Sequence, residues 1–391
     1  MARVVNANSL RATIAEIEAF DQLHALSDAY ELAHGHRPHN VSHWDPSDDF
    51  VEAFSKRLPI AFSGEAIRYR YSMRCEARPK VLEKLSQAPP RRILITENGT
   101  AAVLAAANCL GLLGVRRVIL LCPCYFAARY ALSAFGIDIL PTYWIREGGT
   151  FRLPHLSLQP DDAIWIENPV FNTGVSAMTE VIAPLEEVLR AGRLVVADGS
   201  LEPPDRASTP LLARYRSYIS VHAPHKSICV NGLKFGAVTF DPAHYELFSH
   251  WADILGGGLS LSAEIAIDHF LSPSFDAYRA SIEMELRASD TWLLALIESF
   301  GNALELDAGS VGYWRTVYAH WLPAQFGDDT RALWRLIEAS GAAIIPGTRA
   351  AFDPKWGFCF RVNLLRMGPR ERAALRRLLK ALVAERSCAG G

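Results

Sequence analysis

The sequence predicts an α/β protein, a mainly parallel sheet wrapped by helices. Three observations carry that expectation. Short β-branched runs alternate with helical stretches over about 150 residues in the middle of the chain. Each run ends in a turn rich in Gly, Pro, Asn or Thr, where such sheets bind their ligands. And 391 residues, half of them hydrophobic and a fifth charged, suffice for a large core in one large domain or two domains.

Taken in order, Asn8-Ser9 opens one or two amphipathic helices that run to about Gly35, with Ser9 as N-cap. The segment Arg37 to Asp49 is irregular, rich in Pro and Asp, and carries Trp44. A short helix over Phe50–Leu58, a loop with Tyr69, Tyr71 and Met73, and a helix over Pro79–Gln87 follow. The alternation then begins. Ile93–Thr96 is a strand, Glu97–Thr100 a turn, and AAVLAAANCLGLLG an apolar helix. VILLC, ending at Cys122, is the next strand, then a Pro-Cys-Tyr turn, the helix FAARYALSAFG and the strand IDILPTYW. AIWIEN, ending at Asn168, precedes a turn and the helix TEVIAPLEEVLRAG. LVVAD ends at Asp198, Tyr218–Val221 ends just before Lys226, and Ala237–Phe240 closes the series.

Composition excludes several classes. A net charge of -2, without basic runs, gives no electrostatic case for nucleic acid or an anionic membrane. Seven scattered cysteines argue against a disulfide framework and for a reducing compartment. Cys122-Pro-Cys124 lacks a second pair, so no zinc site is expected, and the two thiols are read as small buried side chains. No apolar stretch reaches spanning length and no signal peptide is evident, which makes cytoplasmic the expected location.

The residues just after each strand form a set. They are Gly99, Thr100 and Ala101 at a helix start, Tyr125, the turn Asn168 to Gly174 with Asn172, Asp198, and Lys226 with Lys234 eight positions on. Each has an ordinary alternative as a helix cap, core aromatic, plain turn or solvated charge. Together they suit one chemistry. A lysine whose charge is suppressed forms a Schiff base with an aldehyde. Pyridoxal phosphate supplies that aldehyde, and its ring works best with a buried carboxylate beside the ring nitrogen, for which Asp198 is the candidate. Gly99, Thr100 and Ala101 at a helix N-terminus, with Lys234, suit a phosphate. Tyr125 offers a ring to stack, and Asn172 a neutral donor for the phenolic oxygen.

This order of Gly-Thr, Pro-x-Tyr, Asn-Pro…Asn-Thr-Gly, Asp and Lys resembles the fold type I pyridoxal-phosphate enzymes, and within them the class I/II aminotransferases. The similarity spans roughly Tyr71 to Arg361. It implies that Lys226 carries the cofactor, that Tyr71 reaches the phosphate site of a neighbouring subunit in a homodimer, and that Arg361 in FCFRV grips the substrate carboxylate. An exposed strand arginine is the alternative for Arg361. It also implies an arm and part of a small α+β domain in 1–60, a cofactor-binding domain in 61–285, and the rest of the small domain in 286–391. The implied function is amino transfer from an α-amino acid to a keto acid.

The departures are specific. Lys234 stands where the family has arginine, Ala223 where it has serine, Phe171-Asn172 where it has Asn-Pro, and Leu201 where it has tyrosine. His222 or His225 could replace the missing serine. These changes keep open elimination, replacement, cyclisation or oxidation of an amino acid on the same scaffold, and a degenerate binding protein as a third possibility.

Overall fold

The computed structural model describes residues 22–42, 47, 49, 50, 53, 72, 75–86, 91–202, 209–309 and 312–389. Tyr71, Trp44 and most of the expected 50–58 helix lie outside them. Seven strands form the main sheet: β1 (Arg92–Thr96), β2 (Arg117–Cys122), β3 (Asp138–Tyr143), β4 (Asp162–Glu167), β5 (Leu194–Asp198), β6 (Tyr218–His222) and β7 (Gly236–Phe240). Their order is β1-β7-β6-β5-β4-β2-β3. Neighbours from β6 to β3 run parallel, and β7 runs antiparallel to both β6 and β1.

The strand sequences explain this placement. DAIWIE, YISVH and GAVTF are buried along their whole length, as strands covered on both faces require. β3 lies at the edge, has only exposed and half-buried positions, and accommodates Pro141 there. Successive residues feed opposite layers. Ile93, Ile95, Ile164, Ile166 and Val195 join one apolar cluster. Leu94, Ala163, Trp165 and Val196 join the other, which includes the inner face of helix α2.

Helix α1 covers Arg78–Ser86, α2 Gly99–Leu112, α3 Phe126–Ala134 and α4 Met178–Arg190. Helices that the sequence left unassigned follow the sheet, among them α5 (Leu261–Leu271) and the long α6 (Pro273–Glu298). The strand expected through Trp144 ends at Tyr143. A hairpin of Ile145–Glu147 and Thr150–Arg152 begins there, its two-residue turn made by Gly148 and Gly149 at φ 57° and 77°.

A second, antiparallel sheet has the order β8-β9-β11-β10, from Glu305–Leu306, Trp314–Ala319, Phe358–Asn363 and Ile345–Pro346 respectively. Helices α7 (Thr330–Ser340) and α8 (Pro369–Ala389) pack on it. Asp329 caps α7 by accepting from the N–H groups of Arg331 and Ala332, and Gly341 ends it at φ 68°. Leu23 and Val41 share this core, and His39–Asn40 pairs in parallel with Ala342–Ala343.

Buried charge ties the hairpin to the second sheet. Arg146 in the hairpin donates to Asp307 at 2.6 Å and Glu305 at 2.8 Å, and lies 3.9 Å from the Tyr318 ring centre. The Tyr318 hydroxyl donates to the other Asp307 oxygen at 2.8 Å.

Where β7 meets the turn after β1, Gly236 has no room for a side chain. A Cβ there would lie 2.3 Å from the Asn98 carbonyl oxygen, which is backbone and cannot yield. Gly236→Ala is therefore expected to destabilise the fold by about 1–3 kcal/mol, measured by urea denaturation.

Candidate active site

The carboxyl ends of β2, β4, β5 and β6 converge on one pocket. Its wall includes Tyr125, Glu167, Phe171, Asp198, Leu201 and Lys226. Lys226 sits in a single helical turn, Pro224–Ser227, directly after β6. Its ammonium lies 4.7 Å from the centre of the Tyr125 ring. Burial lowers the pKa of this amine. Asp198 and Glu167 oppose the shift, while the Arg361 and Lys234 charges add to it.

Asp198, the last residue of β5, is only 4% exposed, so the alternative of a solvated loop acid falls. Both the N–H and the hydroxyl of Ser200 hydrogen-bond its carboxylate, the N–H at 2.9 Å. Burial raises the Asp198 pKa, and Ser200 and Lys226 pull it back. Glu167 was not singled out from the sequence. It ends β4 opposite Asp198 in register, is 5% exposed, and accepts a short hydrogen bond from the Tyr125 N–H. Burial, then the Asp198 charge and Cys124, push its pKa well above the ordinary glutamate range.

Tyr125 is the half-buried residue before α3, and its hydroxyl is 3.3 Å from Thr100 Oγ1. Gly99 and Thr100 open α2 behind the N-cap Asn98. The Ala101 N–H, expected to serve a phosphate, instead donates to Asn98 Oδ1 at 3.0 Å. Gly99 packs closely, because a Cβ on it would lie 3.0 Å from Ala223 Cβ and 3.5 Å from Ser200 Oγ. Lys234 is exposed on the turn before β7.

Asn172, expected as a neutral donor to the phenolic oxygen, has a protein partner through its carboxamide oxygen. It adopts a left-handed φ of 63°, and its carboxamide oxygen accepts from Arg361 Nη1 at 3.0 Å. Phe171 takes the place on the pocket wall. Arg361 on β11 is 2% exposed, which removes the exposed-strand alternative. It donates from Nε to the Ser42 carbonyl at 2.9 Å and stacks 4.4 Å from the Trp314 ring centre. Thr316, its neighbour on β9, donates to the Asn172 carbonyl at 2.9 Å.

The two histidines considered as substitutes for the missing serine turn inward. His222 Nε2 is 2.8 Å from Ser220 Oγ. His225 Nε2 is 3.1 Å from His269 Nδ1, between Phe235 and Phe275. Burial lowers both pKa values to about 3, so both rings are neutral. Cys122 and Cys124 are buried free thiols, and no cluster of metal-ligating residues occurs among the described residues. No described helix is long and apolar enough to cross a membrane.

The chain has the fold of the fold type I pyridoxal-phosphate-dependent aminotransferases. No protein-family model matches it, and no curated protein matches it by sequence. Solved structures do. N-succinyldiaminopimelate aminotransferase from Mycobacterium tuberculosis superposes at a TM-score of 0.72 with 19% identity, over 93% of this chain and 96% of that one. An aspartate aminotransferase double mutant from Thermus thermophilus gives 0.73 and 17%, over 94% and 96%. Bna3p, a putative kynurenine aminotransferase from Saccharomyces cerevisiae, gives 0.72 and 16%, over 93% and 95%.

The residues present fit pyridoxal phosphate. The pocket holds an amine of lowered basicity, a carboxylate buried against it and an aromatic ring beside both. In the cofactor-free protein, an amine-selective acylating reagent should modify Lys226 at lower pH than an ordinary lysine, as read by peptide mapping. Asp198→Asn should move that pH lower still, because Asp198 holds the proton on the amine.

Proposed function

We propose that the protein is a pyridoxal-phosphate-dependent aminotransferase that passes the amino group of an α-amino acid to a keto acid. The observation that carries this is the half-buried Lys226 amine, set over the Tyr125 ring and under the influence of the Asp198 charge at the carboxyl edge of the sheet. When bound, the cofactor supplies an aldehyde for amines and a ring that draws electrons from the substrate Cα.

The chain's own groups do the rest. Lys226 Nζ attaches the cofactor and moves the proton at the substrate Cα. Its lowered basicity supports this role, since a larger share of the amine is uncharged near neutral pH. Asp198 holds a proton on the ring nitrogen, and its burial beside Ser200 keeps water from competing. Tyr125 stacks on the ring. Gly99 and Thr100, with the Lys234 charge, hold the phosphate at the mouth of α2; Ala101 contributes through the cap it makes with Asn98. Arg361 binds the substrate carboxylate, and Asn172, Ser42 and Trp314 fix the plane of its guanidinium. This reading has the protein act as a homodimer in the cytoplasm, with 61–285 as the cofactor-binding domain.

A second reading keeps the cofactor and changes the reaction to elimination, replacement, cyclisation or oxidation of an amino acid. Phe171 and Leu201 on the pocket wall favour it, because neither can donate a hydrogen bond to the cofactor.

The two readings separate on acceptor dependence. An aminotransferase consumes one amino acid per site, then stalls until a keto acid is supplied; the alternatives turn over without one. Lys226→Ala should abolish the first turnover. Arg361→Lys should raise KM for the amino acid by about tenfold or more, with a smaller effect on kcat, because the bidentate fork is lost. Steady-state kinetics check both.

A further inference from the structure

Two acids and one amine share the pocket floor, and the aminotransferase assignment uses only one of the acids. Glu167 and Asp198 are register partners on parallel strands, so their side chains leave the sheet on the same side. A single ammonium, that of Lys226, stands near both. Burying two carboxylates against one cation is costly, and such pairs resolve by one acid keeping its proton.

The surroundings decide which one. Asp198 receives two hydrogen bonds from Ser200, and both favour its anion. Glu167 receives one, from the Tyr125 N–H. The charged and titratable groups facing Glu167 are Asp198 on β5, Cys124 and Tyr125 before α3, and Lys226 after β6. Of these, only Lys226 and the Tyr125 N–H favour its ionised form.

The pocket is also short of neutral donors. Phe171 and Leu201 have none, and the Ser200 hydroxyl serves Asp198. The Tyr125 hydroxyl lies beside Thr100, and Asn172, whose carboxamide oxygen accepts from Arg361, does not line the pocket wall. A protonated Glu167 would supply what these residues do not.

We propose that Glu167 stands in the pocket as a neutral carboxylic acid. One oxygen accepts from the Tyr125 N–H, and the hydroxyl donates to an anionic oxygen of the bound ligand. Resting on the reading above, that oxygen is the phenolate of pyridoxal phosphate. A neutral acid suits this task, because it stabilises the anion without adding charge to a buried site.

Two measurements test it. In the cofactor-free protein, thermal and urea unfolding of wild type and Glu167→Gln are compared from about pH 6 to about pH 8. A glutamate neutral when folded and ionised when unfolded makes wild type lose stability as pH rises. The stability gap should therefore widen in favour of the glutamine variant, by up to about tenfold in the folding constant per pH unit. A gap independent of pH would overturn the proposal.

In the cofactor-loaded protein, the pH of the absorbance transition and the cofactor Kd are read for wild type, Glu167→Gln and Glu167→Leu. Glutamine keeps an acceptor and a donor without charge, so its transition should match wild type and its Kd lie within about threefold. Leucine removes the donor. Its transition should move to higher pH, and its Kd weaken by about tenfold or more. If the leucine variant matches wild type, or if both variants move the transition to lower pH as loss of an anion would, the proposal falls. Should no cofactor bind, the aminotransferase reading fails, and the unfolding comparison still decides the state of Glu167.

Discussion

An amine and two carboxyl groups buried side by side at the ends of three adjacent strands are the constraint on which the rest of the site depends. In water such groups repel or attract weakly; inside a protein their charges are expensive unless each is compensated. The sheet order β6-β5-β4 brings Lys226, Asp198 and Glu167 to one edge without long loops. Each neighbour then adjusts a charge. Ser200 stabilises Asp198, the Tyr125 N–H meets Glu167, and the Tyr125 ring lies beneath the ammonium. The net effect is an amine less basic than usual, with acids that hold protons more tightly than usual.

The second sheet matters because it delivers Arg361. Thr316 and Arg361, side by side on β9 and β11, grip the backbone and side chain of Asn172 in the turn after β4. The left-handed conformation at Asn172 turns its carboxamide toward that guanidinium. On the proposed function, the substrate carboxylate is met by a cation whose orientation is fixed from both sheets at once. The Arg146–Asp307–Tyr318 contacts tie the 145–152 hairpin to the same second sheet.

Much of this was legible in the sequence, and the omissions have physical causes. Alternating β-branched runs and apolar helices located the seven strands closely, because strands buried on both faces leave a continuous hydrophobic signal. The same signal concealed Glu167. It sits inside the strand read from AIWIEN, where residue type does not say what a side chain faces; only the register with Asp198 brings the two acids together. Asn172 reads as a cofactor donor from its position in Asn-Thr-Gly, and its added contact with Arg361 depends on a backbone angle that residue type alone does not fix. His225 and His269 are 44 positions apart, and no local pattern joins them. The Gly148-Gly149 hairpin was readable in principle as a two-glycine turn, but the strand before it masked the break.

The most direct test of the central claim is covalent. The protein is incubated with pyridoxal phosphate, reduced with borohydride, digested and mapped by mass spectrometry. A stable pyridoxyl adduct is expected on the peptide containing Lys226, at close to one per chain. An adduct spread over exposed lysines such as Lys234, with Lys226 unmodified, would contradict it.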